Sequence, residues 1–510
     1  VDTPSWIRHG LTLGILLLVV ELSLLHAAET PSAADQASPK ETWNVIYLGG
    51  GRIGYSRSSL QKVTEEGQKR FRTESDTYML IKRFGQELTT RSHLETTETE
   101  EGELLRFRFE LQNPPAKPNL TIGSVRGETL HLQTTTAGKT VEKESKWDTS
   151  LKSPAWQDRL LQESPLKAGE KRSFKAYLPE LNKVATVQMH AHDFEEVALL
   201  DGKKRKLLKV SITQSVLPGI TTTAWLDDEG SALKTTIGFL GMETYLVSRE
   251  EALKSIEGKE LDVALDTLVK VGPIEDPHRT SQIVYRVKLP NEDPTTAFTN
   301  GSTQKVRRIE DTVAEIVVTS RRPPVATPAT KVEVAPEFLQ PTRYLQSDHE
   351  RVIEHARQAA GEETDPWKVA VRLERYVHDK LTKKNFSTAL ASAAEVAESL
   401  EGDCTEHACL LAAMARAREI PSRIVVGLVY VRRLEAFGGH MWTEVFINGE
   451  WIPLDATLAQ GGIGAAHLRM ADSSFADDGP TPVTSFIPLL TALGKMQIEV
   501  QEVKHAEPQE

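Results

Sequence analysis

Three short blocks decide how the C-terminal part of this chain folds: Glu401-Gly-Asp-Cys-Thr-Glu-His-Ala408, His440-Met-Trp-Thr-Glu-Val-Phe-Ile447 and Glu450-Trp-Ile-Pro-Leu-Asp455. In the first, Asp403 followed three residues later by Glu406 is a capping-box pattern, which starts a helix. Ala408, Leu411, Ala412 and Ala415 then recur at helical spacing, and Ile420-Pro421 ends the run. Cys404 falls on the first helical position. A helix N-terminus carries partial positive charge that favours a thiolate, and its first-turn N–H groups lack intrahelical partners and can hold an oxyanion. Cys409 sits mid-helix among Ala and Leu and reads as a small buried hydrophobe. Residues five apart on a helix project about 140° apart, so the two cysteines are not expected to form a disulfide. Glu406 reads as the capping partner, and His407 lacks the nearby Cys or His residues that a zinc site needs.

The other two blocks flank Asn448-Gly449, the strongest short hairpin signal, after a strand at 423–431 and an expected break at Gly438-Gly439. A two-residue turn pairs Ile447 with Glu450 and so fixes the register. Met441, Val445, Ile452 and Leu454 then share a face suited to the core. His440, Trp442, Phe446, Trp451 and Asp455 share the other. His440 and Asp455 become diagonal neighbours, ~7–8 Å apart at the backbone, within side-chain reach. Cys404 as nucleophile, His440 as acid and base, and Asp455 as the group that orients the imidazole make a Cys–His–Asp assembly. The aromatic residues Trp442, Phe446 and Trp451 on the same face are candidates for the walls of a substrate cleft.

Working outward, 510 residues suggest about three domains at ~150 residues each. From 42 to 256 short alternating runs, such as Leu105-Arg-Phe-Arg-Phe-Glu-Leu111, point to one large antiparallel and curved β domain. Residues 257–322 read as a small β-rich domain, 323–343 as a Pro-rich linker, 344–475 as a helix-led catalytic domain, and 476–510 as a C-terminal extension. Gly49-Gly50-Gly51-Arg52-Ile53-Gly54 matches a dinucleotide-binding pattern only formally, because Tyr55 to Val63 reads as a strand where that motif needs a helix. At the N-terminus, Arg8 and His9 precede an apolar run from Leu11 to Leu25, so 1–28 reads as a signal peptide or N-terminal membrane anchor, with 29–41 a disordered leader. The location expected is therefore extracytoplasmic: periplasmic, secreted, or anchored facing outward. With 61 basic and 72 acidic residues and no basic run, no nucleic-acid partner is expected, and two cysteines exclude a disulfide-stapled scaffold.

The quoted blocks, with Arg416-Ala-Arg-Glu-Ile-Pro-Ser-Arg-Ile-Val-Val-Gly427, resemble the transglutaminase-like superfamily of papain-like fold, over roughly 344–470. The resemblance implies a C-terminal α+β catalytic domain behind all-β N-terminal domains, with Cys404, His440 and Asp455 matching the family's triad; no acidic cluster reads as a regulatory Ca²⁺ site, so no metal or other cofactor is expected. β-rich companions before such a domain fit exported bacterial members. Asp455-Ala456-Thr457 replaces the family's frequent Asp-Pro-Thr. The second oxyanion donor found upstream of the cysteine in many relatives has only Tyr376 and Asn385 as guesses here. The expected activity is thiol-dependent acyl transfer from a glutamine carboxamide or peptide bond of a protein or peptide substrate. An amine acceptor gives transglutamination, and water gives amidase or protease activity; the triad serves both. The competing reading is a non-catalytic envelope-binding or structural protein with a vestigial domain. Nothing in the sequence speaks to oligomeric state.

Overall fold

The computed structural model describes residues 39–83, 85–238, 241–256, 262–290, 292–321, 333–385, 390–477, 479 and 481–505. The expected signal or anchor segment and most of the expected leader lie outside them, as does the first half of the expected linker. The chain divides into two compact units, one built from residues up to 81 and from 88–261, the other from 82–87 and 262 onward.

The first unit is a single antiparallel sheet of fourteen strands among the described residues. It is a meander in two halves, 40–146 and 171–247, joined where strand 40–48 pairs with strand 242–247, as in Trp43↔Val247 and Val45↔Tyr245. Alternation gives most strands one buried face, which is why the period-2 pattern was legible. The first strand begins at Lys40, so the expected leader ends earlier than the boundary at 41. The segment after the glycine run is a strand, Gly51–Glu65, as its composition requires. The sheet is curled. Lys152 bridges to Glu103 and to Ala176 of the last edge strand, and Phe107, Leu130, Leu132, Trp147 and Tyr177 pack into one cluster across the two halves.

The second unit holds the expected catalytic region. Its helices are α1 (Glu350–Ala360), α2 (Pro366–Lys380), α3 (Ala393–Ser399) and α4 (Cys404–Ala417). Asp365 caps α2 ahead of Pro366 at the first turn, where a missing N–H costs nothing. The helices precede an antiparallel sheet whose main strands are β1 (Ser422–Val431), β2 (Ala436–Ile447), β3 (Glu450–Leu454) and β4 (His467–Ser473); β1 lies between β2 and β4, and β3 pairs with β2. The β2–β3 register is Ile447↔Glu450, Phe446↔Trp451 and Val445↔Ile452, the register a two-residue turn requires. Gly438 and Gly439 are not a break. They pair with Val429 and Leu428 of β1 inside the unbroken strand β2. Thr443 Oγ1 donates to Ala408 O at 2.9 Å, and Arg416, buried at the end of α4, donates to Ser422 O and Ser474 O, tying α4 to the sheet.

Three further segments depart from the expected domain limits. Strands 280–288, 304–310 and 313–319 form a four-stranded sheet with the chain's last strand, Gln497–His505, which pairs with Thr280–Lys288. The C-terminal extension therefore completes this sheet. The sheet is part of the same compact unit as the helices: Tyr285 Oη donates to Ala465 O at 2.9 Å, and Gln304 Nε2 to Arg469 O at 2.7 Å. The described end of the expected linker is also packed, with Thr342 and Arg343 buried and Arg416 Nη1 donating to Gln340 O.

The closeness of β1 and β4 gives a direct test. A Cβ on Gly427 would lie 2.0 Å from the Leu468 carbonyl oxygen and 2.9 Å from the Trp442 ring. Backbone cannot yield as a flexible side chain can, so Gly427→Ala is expected to destabilise the unit by about 1–3 kcal/mol, read as a lowered denaturant midpoint.

Candidate active site

The site is built on the N-terminal turn of α4. Asp403 is its N-cap: Oδ1 accepts from the Thr405 N–H and from its hydroxyl, each at 2.9 Å, and Glu406 Oε2 accepts from the Asp403 N–H at 2.9 Å. Asp403 Oδ2 takes a charge partner as well, Arg83 Nη2 at 2.5 Å, with both side chains fully buried. Burial and the Asp403 charge push Glu406 up to about 8. Gly402 enters the cap with φ +144°, and a Cβ there would sit 2.4 Å from the Glu406 side chain. Cys404 is thus the first residue of a tightly capped helix, and it is buried. Cys409 is buried deeper in α4, and burial pushes its thiol well above the ordinary range, which suits an inert packing residue.

His440 in β2 places Nε2 2.8 Å from Asp455 Oδ2. Its Nδ1 has no nitrogen or oxygen partner, and Cys404 acts on the same ring. Burial opposes the imidazolium, but the Asp455 carboxylate and the Cys404 sulfur outweigh it and push His440 up to about 10. Burial likewise opposes ionisation of Asp455, yet His440 and His467 hold it well below the usual carboxylate range.

Two residues that the sequence reading missed hold Asp455 in place. His467, the first residue of β4, puts Nε2 3.2 Å from the same Oδ2, and burial lowers its own proton affinity, so the ring is neutral and donates. Glu374 on α2 accepts from the Asp455 N–H at 3.0 Å and the Gly461 N–H at 2.8 Å, and burial pushes it up to about 8. The Thr457 N–H donates to Asp455 Oδ1 at 2.8 Å. Glu374 left a signal in the sequence, since it shares the buried stripe of α2 with Val369, Ala370, Leu373 and Val377. His467 left none, because its strand was not read.

Of the aromatic residues expected to wall a cleft, Trp442 lies with the His–Asp pair, its ring 6.3 Å from His440 and nearly parallel to it, and edge-on to His467 at 5.4 Å. Phe446 and Trp451 pack instead on each other at 5.2 Å, with Phe338 and the Arg423 guanidinium also on Trp451. Phe446 stands four residues along β2 from Trp442, ~13 Å at strand rise, so the structure does not gather all three at the triad. Tyr376 is engaged elsewhere, with Gln358 and His355. The ligand atoms of His440, Asp455 and His467 lie within 4.8 Å of one another, so these three are also a donor set that a divalent cation could use.

This geometry supports proton transfer from a thiol to His440 Nδ1, with Asp455 fixing the ring through Nε2. Residues 353–456, which include Cys404, His440 and Asp455, match the family model of the transglutaminase-like superfamily, so the chain carries a transglutaminase-like domain. Among solved structures, it is similar to a candidate cysteine protease from Cytophaga hutchinsonii (16% identity, 45% of this chain and 89% of that one, TM-score 0.28). It is also similar to a β-barrel-like protein of a domain family of unknown function from Brucella abortus (12% identity, 41% and 96%, TM-score 0.30). A third likeness is to the periplasmic domain of TgpA from Pseudomonas aeruginosa, in a structure bound to ethylmercury (17% identity, 38% and 75%, TM-score 0.23). No curated protein sequence matches the chain.

The pH dependence of stability follows from His440. Its folded value of about 10 lies above the ~6.5 of a free imidazole, so the folded state binds the extra proton. The stabilisation is complete below about pH 6.5 and is lost as pH rises through about 10. Thermal unfolding of the native protein is expected to show a falling midpoint across that alkaline window. In Asp455→Asn, which lacks the counter-charge, the fall is expected to move to lower pH and shrink.

Proposed function

We propose that the protein is an exported thiol enzyme that transfers acyl groups from a glutamine carboxamide or a peptide bond through a thioester on Cys404. The observation that carries this reading is the buried His440–Asp455 pair, whose second ring nitrogen is left toward Cys404 at the N-terminus of α4. With its proton already held on His440 Nδ1, the Cys404 sulfur adds as a thiolate to the carbonyl carbon, and the carbonyl π electrons move to oxygen. Collapse of that oxyanion expels ammonia or an amine, which takes the proton back from His440, leaving the thioester. An amine acceptor or water then attacks the thioester and gives a proton to the now neutral His440; the C–S bond breaks, releasing the acyl product and restoring the Cys404 sulfur beside the protonated ring. Asp455 orients the ring and stabilises its positive form throughout. A site sheltered from water strengthens each of these electrostatic effects. Export rests on the basic and apolar N-terminal run, Arg8 to Leu25.

The test uses casein as both amide donor and protease substrate, with a fluorescent primary amine present. Amine incorporation scores the transferase outcome, and new peptide ends score the hydrolase outcome. The wild type is expected to show one of them, and Cys404→Ala to reduce it by at least about 10³-fold with the unfolding transition retained. Full activity in folded Cys404→Ala would contradict the proposal.

A further inference from the structure

Lys384 lies beside the first turn of α4 and is not one of the Cys–His–Asp residues. The chain around it is strapped to the residues that lead into the cap. The Gly402 N–H donates to Lys383 O at 3.1 Å, and Lys383 pairs with Glu401 along the backbone and through its side chain at 3.0 Å. Lys384 Nζ then reaches His407 Nε2 at 3.1 Å. The tautomer of His407 follows from its other nitrogen. Nδ1 lies 2.5 Å from Asp403 O, a carbonyl that can only accept, so Nδ1 carries the proton and Nε2 presents a lone pair to the ammonium. Burial, reinforced by the Lys384 charge, keeps the His407 ring neutral. The close partner of Lys384 is therefore an uncharged imidazole, and among the described residues no carboxylate forms an ion pair with its ammonium. Burial lowers the proton affinity of Lys384, and Asp403, Cys404, Asp455 and Glu406 are the charges near enough to oppose this. His407 stands one helical turn after Cys404 on α4, so it holds this half-buried cation on the same end of the helix, within electrostatic reach of the proposed nucleophile.

We infer that Lys384 is a catalytic residue, whose ammonium, held by His407, donates an N–H to the oxyanion formed when the Cys404 sulfur adds to the substrate carbonyl. The inference rests on the function proposed above. As the C–S bond forms, the carbonyl π pair becomes the oxyanion lone pair, while the thiol proton already resides on His440. Lys384 keeps its protons and supplies a charged hydrogen bond that strengthens in the transition state. As the oxyanion collapses, the pair returns to the carbonyl and the leaving group departs with the proton from His440.

Two probes of the full-length protein separate this role from a structural one. Iodoacetamide alkylates a thiolate by displacing iodide and forms no oxyanion. 4-Nitrophenyl acetate acylates through a tetrahedral oxyanion. Both rates at Cys404 are measured at the plateau of their pH profiles, so that the ionisation of the thiol does not enter. Lys384→Met is expected to slow acylation about 10²-fold while leaving alkylation within about twofold, and Lys384→Arg to recover part of the loss. Equal losses in both reactions, or unchanged acylation, would overturn the assignment. A wild-type Cys404 that is alkylated but never acylated would overturn the parent reading, and this one with it.

Discussion

The carboxylate of Asp455 is the constraint on which the site depends. It is fully buried and ionised, which is tolerable only because three donors converge on it: His440 and His467 on Oδ2 and the Thr457 N–H on Oδ1. Each donor comes from a different part of the unit. His440 belongs to β2, His467 to β4, and Thr457 to the chain just after β3, while Glu374 of α2 holds the Asp455 backbone from the helical side. Moving any of these elements leaves a buried charge short of a partner. The same network that makes Asp455 acceptable to the fold fixes the His440 ring through Nε2, so stability and the proposed chemistry rest on one set of bonds.

Cys404, the proposed nucleophile, is held by a second network of the same kind. The capping box of α4 is extended by Arg83 on Asp403 and by the Ala391 N–H on Glu406, so the first turn has little freedom to unwind. Such over-determination holds a cysteine to the small tolerances that a thiol–imidazole pair needs. The hydroxyl of Thr443 reaching Ala408 O then fixes α4 against the strand that carries His440.

What was legible in the sequence was local. The Asn448-Gly449 turn and period-2 alternation determined which residues of β2 and β3 oppose each other, and Asp403 with Glu406 announced the helix start, because each rule acts over a few residues. Distant pairings were not legible. Strand 40–48 joins strand 242–247, and strand 497–505 joins strand 280–288, and no local pattern states which of many compatible edges will meet. That is why the small sheet and the C-terminal segment read as separate parts. Gly438-Gly439 misled because glycine signals a turn only where the backbone is free to bend, and here the ladder with β1 holds it straight. Phe446 and Trp451 were placed on the correct face but too far along it, since alternation gives the side of a strand and not what stands opposite. His467 was a single polar residue whose importance appears only when the fold brings it to Asp455, whereas Glu374 stood out as a carboxylate on the apolar stripe of α2 without showing what it would meet.

The most direct measurement is to trap the acyl-enzyme. The full-length protein is mixed with a glutamine-containing peptide, quenched in acid within the first turnover, and digested for peptide-resolved mass spectrometry. A hydroxylamine-labile acyl group on the peptide containing Cys404, absent from His440→Gln, is the result expected if cysteine, histidine and aspartate act as one unit. An adduct equally abundant in His440→Gln, or no thioester on Cys404 while the peptide is still consumed, would contradict it.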